Sequence, residues 1–118
     1  MIIELVWNPL STSHIYYMGW KSSFMKTPAR NQKNSYITQA TSQYTWPILY
    51  CDIVIEANIY FGDKRIRDID NYNKLWMDSL QGILYKDDKQ VVGLLLYKHY
   101  DKENPRITIH TIDIQWIM

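Results

Sequence analysis

The clearest alternation in the chain runs from Asp52 to Tyr60, where Ile53, Ile55, Ala57 and Ile59 share one phase and Asp52, Glu56 and Asn58 the other. A period of two with one apolar face predicts a half-buried β-strand. Ile2 to Val6 is a shorter β-prone run closed by Trp7-Asn8-Pro9, because proline cannot donate to a ladder and holds its predecessor extended. From Leu10 to about Thr27 neither period is visible; Ser, Thr, Tyr and Gly19 predict a long loop, or a loop carrying a hairpin. Thr27-Pro28 then predicts a helix start, with threonine as N-cap and proline in the first helical position. Tyr36, Ile37, Ala40 and Tyr44 give that helix a modest apolar stripe before Trp46-Pro47 ends it.

In the second half, Phe61-Gly62-Asp63-Lys64 predicts a turn and Arg65 to Ile69 an extended segment. From Asp70 to Gln81 the positions Tyr72, Leu75, Trp76, Ser79 and Leu80 follow the i, i+3, i+4, i+7, i+8 spacing of a helix with one buried face. Gly82 sits where a helix C-terminus prefers glycine. Asp70, Lys74 and Gln81 fall opposite the stripe, so Lys74 is expected one turn from Asp70 and free of the core. Ile83 to Tyr85 is expected to fold back on the core, and Asp87-Asp88 to turn the chain into Val91–Tyr97. That nearly continuous apolar run predicts a central strand covered on both faces. Arg106 to Trp116 predicts a last strand. Ile107 and Ile109 share one phase there and Ile112, Ile114 and Trp116 the other, a slip that predicts a β-bulge near His110-Thr111.

These elements, in 118 residues of which 47% are apolar, predict a single α+β domain over residues 1–118: a mixed sheet of about four strands with helices packed on it. Cys51 is the only cysteine, so no internal disulfide and no cysteine-based metal site is expected. No run reaches the roughly 18 apolar residues of a membrane span and the start lacks a signal-peptide pattern, which makes the cytoplasm the expected location.

The net charge is only +1, but its distribution changes the picture. Leu5 to Cys51 carries Lys21, Lys26, Arg30 and Lys33 and no acid, whereas residues 52–118 carry nine bases and eleven acids. A basic arm over an acidic centre suits a polyanion held on metal ions. Tyr16, Tyr17 and Trp20 beside Lys21 and Lys26 have the composition of a surface that tracks a nucleic-acid backbone and stacks on bases.

The acids of interest lie in Arg67-Asp68-Ile69-Asp70-Asn71 and in Asp87-Asp88-Lys89-Gln90, bracketed by Lys64, Arg65, Arg67, Lys74, Lys86 and Lys89. Two aspartates two apart in an extended segment point the same way, and a third carboxylate alongside completes an oxygen cage for a hard cation such as Mg2+. Asp88 or Asp87 is the natural third. The same residues also serve capping and turns, since Asp and Asn satisfy the orphan N–H groups of a first helical turn. Both readings stand on spacing alone. His14, His99 and His110 have no ligand spacing to one another.

The joint pattern Arg67, Asp68, Asp70, Asn71, Lys74, Asp78, Leu80, Gly82, then Asp87, Asp88, Gln90, Val91 and Val92, resembles the RusA family of Holliday junction resolvases, small homodimeric endonucleases of bacteria and their phages. The resemblance is closest over residues 58–98. It implies a RusA-like fold, metal-binding Asp68, Asp70 and Asp88, and a catalytic Lys74 at the scissile phosphate. It further implies Mg2+, with Mn2+ as a substitute, and paired nicking of a four-way DNA junction by a homodimer. Lys21, Lys26, Arg30, Lys64, Arg65, Arg67 and Lys89 are the expected DNA contacts, and Asn71 and Asp87 supporting neighbours of the ligands. The entry to the N-terminal loop, Asn8-Pro9-Leu10-Ser11-Thr12-Ser13, departs from the family's pattern, and Ile66 thins the basic run. A non-catalytic DNA-binding protein on the same fold, or a nuclease for other branched DNA such as replication forks, is the alternative. A sugar-nucleotide transferase, which Asp-x-Asp also suggests, does not fit in 118 residues.

Overall fold

A computed structural model describes residues 2–6, 16–18, 23–25 and 27–113, with only the backbone of 16–18, 23–25, 71 and 113. The elements in order are β1 (Ile2–Val6), β2 (Tyr16–Met18), β3 (Ser23–Met25), α1 (Thr27–Gln43), β4 (Ile53–Phe61), a 3-10 turn Ile69–Tyr72, α2 (Lys74–Leu80), a second 3-10 turn Asp88–Gln90, β5 (Val91–Tyr100) and β6 (Arg106–Asp113). Four strands form one mixed sheet in the order β1-β6-β4-β5, and β2 and β3 form the hairpin within the first loop. The α+β expectation holds. No helix among the described residues is long and apolar enough to cross a membrane.

Strand β4 is the axis of the sheet. Ile53, Ile55, Ala57, Ile59 and Phe61 alternate inward, and with Ile3, Leu5, Ile107 and Ile109 from the neighbouring strands they form the floor of the core. The helices close it from one side. α1 contributes Ala29, Gln32, Tyr36 and Ala40, with Ile37 only half-buried; Gln32 stays in the core by donating to the Tyr36 hydroxyl at 2.7 Å. α2 buries Leu75, Trp76, Ser79 and Leu80, the expected stripe, and Leu84 and Tyr85 fold back beneath it. Gly82 adopts φ +88°, a left-handed conformation that glycine enters without a Cβ penalty.

Three expectations are corrected. Val91–Tyr97 is not central: β5 is an edge strand, parallel to β4, and Val92, Leu94, Leu95 and Tyr97 are exposed. Its apolar run reflects surface composition, not burial on both faces. No bulge interrupts β6, whose pairing with β4 runs unbroken from Arg106 to Asp113. The change of apolar phase arises because Ile112 lies opposite Val54 on the face away from the helices, while the one register shift falls where Ile53–Val54 meets Val91–Gly93 and Val92 is skipped. The helix expected from Asp70 to Gln81 is split, with a 3-10 turn at Ile69–Tyr72 and α2 starting only at Lys74. Ile114 and Trp116 lie outside the described residues.

Candidate nuclease site

The segment after β4 is held by a compact set of contacts. The Arg67 guanidinium lies over the Phe61 ring at 4.5 Å, pairs with Asp63 at 2.7 Å, and donates to the carbonyls of Asp63 and Arg65. The Asp63 carboxyl is held below its usual pKa first by the Arg65 backbone N–H and then by the Arg67 and Arg65 side chains. Arg67 is therefore a brace with a nearly buried side chain, and the outward cations here are Arg65 and Lys64. From the far side Lys98 of β5 donates to the Arg67 carbonyl at 3.1 Å, and the Lys64 ammonium sits 4.9 Å from the Tyr100 ring. Together these residues wall a cleft of roughly 330 Å3. Sequence reasoning anticipated Lys64, Arg65 and Arg67 but not Lys98 or Tyr100, which lie beyond the expected strand Val91–Tyr97 and carried no motif.

This brace delivers Asp68 and Asp70. Asp68 is exposed and extended, and although it stands at the N-cap position its side chain makes no capping bond. Asp70 is exposed one step into the 3-10 turn. The turn is tied to α2 by Asn73, which donates to the carbonyls of Ile69 and Asp70 at 3.2 and 3.3 Å and accepts from the Trp76 indole at 3.1 Å. Asn73 is buried, and nothing in the spacing marked it. Lys74 is half-exposed and pairs with Asp78 at 3.1 Å. The side chain of Asn71 is outside the described set.

At the second acidic stretch, Asp87 caps the 3-10 turn Asp88–Gln90, accepting from the Lys89 backbone N–H at 3.0 Å, and Gln90 completes a capping box. Gln90 also donates to the carbonyls of Leu49 and Cys51 at 2.8 and 2.9 Å, which anchors this turn at the start of β4. The Asp87 carboxyl is held low by the Lys89 N–H and then by a hydrogen bond with the Asp88 side chain. Burial raises the pKa of Tyr85, whose hydroxyl donates to the Met77 carbonyl at 2.6 Å, and the charges of Asp88 and Asp78 raise it further. Asp88 and Lys89 are exposed, so Asp87 has the capping duty and Asp88 is the freer carboxylate.

The three aspartates are not assembled as expected. Among the described residues no three His, Cys, Asp or Glu side chains are grouped to hold a metal ion. The reason is topological. β4 and β5 are parallel, so the chain leaves one end of the sheet after Phe61 and re-enters β5 at the other. Asp68 lies beside Arg67, at the Phe61–Lys98 end; Asp88 lies with Gln90, at the Ile53–Val91 end. Asp68 and Asp70 alone still suit a hard cation that keeps several waters and takes one or two carboxylates. Of the remaining expected contacts, Arg30 is exposed on α1, and Lys21 and Lys26, with Trp20, lie outside the described residues.

A family model described as endodeoxyribonuclease RusA matches residues 7–112. The protein YqaN of Bacillus subtilis (strain 168) is 48% identical over 42 residues, which make up 36% of this chain and 29% of that protein, so the matched part is under a third of the relative's length. Since the family match takes in both acidic stretches, the cationic cleft and nearly every strand and helix described above, the chain belongs to the RusA family of endodeoxyribonucleases.

Proposed function

We propose that this protein is a magnesium-dependent, structure-selective endonuclease that resolves four-way DNA junctions by paired nicking as a homodimer, with Mn2+ able to replace Mg2+. The observation that carries this reading is the placement of exposed Asp68 and Asp70 directly after Arg67, which lines a cleft with Lys64, Arg65 and Lys98, Asp68 making no capping bond. Cations align a phosphodiester, and carboxylates beside them suit a divalent ion. When bound, such an ion supplies a Lewis acid that lowers the pKa of a water and offsets charge on the phosphoryl oxygens.

The residues of the chain do the rest. Asp68 and Asp70 would hold the ion; Asp88, toward the other end of the β4–β5 pair in this structure, is the third carboxylate that the family resemblance implies. Lys74 meets the charge that develops on the scissile phosphate, while Asp78, paired to it at 3.1 Å, keeps the ammonium oriented. Lys64, Arg65, Lys89 and Arg30, together with Lys21 and Lys26, grip the backbone, and Arg67 acts as the brace beneath the grip. Asp87 and Asn71 support the neighbouring carboxylates. Two sites in a two-fold dimer match the near two-fold symmetry of a junction.

The test is cleavage of a synthetic four-way junction with Mg2+. Asp70→Asn and Asp88→Asn should abolish cutting and leave junction binding intact or tighter, because losing a carboxylate lessens repulsion of phosphate. Lys74→Ala should slow turnover more than it weakens binding. Wild-type protein that binds the junction and does not cut it would establish the non-catalytic alternative, and preferential cutting of a replication fork would reassign the substrate.

A further inference from the structure

We propose that Ile66 is a wedge that enters the base step at a DNA branch point and sets the preference for branched over continuous duplex DNA. The inference rests on the nuclease reading above and assigns the source of its structure selectivity to one side chain.

Ile66 is 100% exposed, the most exposed large apolar side chain among the described residues. A lone exposed aliphatic is ordinary on a protein surface, so its setting decides what it does. It stands at the lip of the cleft that Lys64, Arg65 and Lys98 line. Among the described residues Asp63 is the one acid lining that cleft, and Arg65 and Arg67 already engage it. An apolar protein partner would strip water from these cations with no charge to offset the loss. A phosphate backbone satisfies them and brings bases whose faces are apolar.

The segment is also built to hold the side chain out. Asp63 accepts from the Arg65 backbone N–H at 3.0 Å and pairs with Arg67 at 2.7 Å, so the residues on both sides of Ile66 are tied to one carboxylate. Arg67 is fixed in turn by the Phe61 ring and by Lys98, which donates to its carbonyl at 3.1 Å. Branching at Cβ leaves Ile66 few rotamers. A tip held in this way loses less entropy on insertion than a flexible lysine or methionine in the same place.

Between stacked bases a wedge must first break the stack. A branch interrupts the continuous stack, so the step there opens at lower cost than one inside a duplex. An apolar side chain therefore favours the junction, whereas a cation at this position grips the phosphates of either form alike. Ile66 lies two positions before Asp68, about 7 Å of extended chain or roughly two base steps. Insertion at the branch thus keeps the opened step within reach of the carboxylates.

The test compares a four-way junction with a linear duplex of the same sequence by fluorescence anisotropy in EDTA. A 2-aminopurine at the branch, whose emission rises when its base unstacks, reports insertion. Wild type should prefer the junction and brighten the probe. Ile66→Ser should keep the wild-type thermal midpoint, lower the junction-to-duplex affinity ratio about tenfold, as expected for losing one buried aliphatic contact, and leave the probe dim. Ile66→Lys should bind both DNAs more tightly and lose the ratio to the same extent, while Ile66→Leu should retain ratio and signal. If Ile66→Ser keeps both the ratio and the probe signal while wild type prefers and cuts the junction, the wedge is overturned and the nuclease stands. A wild-type protein that binds junction and duplex equally and cuts neither overturns both readings.

Discussion

Asn73 is the residue on which the presentation of Asp70 most depends. It stands between two short helices, and its amide bonds to Ile69 and Asp70 on one side and to the Trp76 indole on the other. Asn73→Ala removes all three and leaves the buried indole N–H of Trp76 without its partner, at a cost of about 2 kcal/mol in urea unfolding. Because the lost bonds fix the turn that carries Asp70, turnover should fall further than junction affinity. Asp101 gives a different kind of test. Its carboxylate accepts from Arg106 at 2.7 Å and from the backbone N–H groups of Glu103 and Asn104, and its pKa is lowered chiefly by Arg106. A carboxyl whose folded pKa is depressed stabilises the fold above its unfolded pKa of about 3.9 and loses that contribution as pH falls through the folded value. Asp101→Asn should therefore lower the thermal midpoint at neutral pH. The gap to wild type should close as the solution is acidified below pH 4, which a melting series across pH measures.

At the scale of elements, what could be read from the chain was what depends on a single face. The alternation of β4, the α2 stripe and Gly82 as a helix end all survive, because one buried surface dictates each of them. Pattern cannot report which strand lies at an edge, and so Val91–Tyr97 was expected at the centre: apolar positions look the same whether a helix or solvent faces them. Direction was equally silent. The acidic stretches were expected to meet because both flank one helix, and the parallel pairing of β4 with β5 sets Asp68 and Asp88 toward opposite ends of that strand pair. Asp87 and Asp88 could not be told apart until the capping box showed which one was occupied. α1 has its own lesson. Its polar composition looked weakly determined, yet Gln39 and Gln43 act as a substitute strand on β1. Gln43→Leu should leave the Glu4 N–H and carbonyl to water, destabilise the fold by about 1 kcal/mol, and raise concentration-dependent aggregation through the newly opened edge, seen by light scattering.

Across the whole molecule the exposed cations are arranged locally. The Phe61–Tyr100 end of the sheet gathers Lys64, Arg65 and Lys98 around the cleft, while Asp87 and Asp88 mark the start of β5. A net charge of +1 hides this, and it means that DNA affinity should come from a local cationic wall and not from the average field. Contacts of that kind are sequence-independent and release counterions, so each lysine that reaches a phosphate contributes about 0.9 to the slope of log K against log salt on duplex arms. Lys64→Gln and Lys98→Gln should each lower that slope by about this amount and weaken junctions of different sequence to the same extent, measured by fluorescence anisotropy in EDTA so that nothing is cut. Arg67→Gln should behave otherwise. Its guanidinium is engaged by Asp63 and Phe61, so the slope should stay near wild type while the thermal midpoint drops. A slope that falls as much for Arg67→Gln as for Lys98→Gln would move Arg67 from the brace to the DNA-contacting surface.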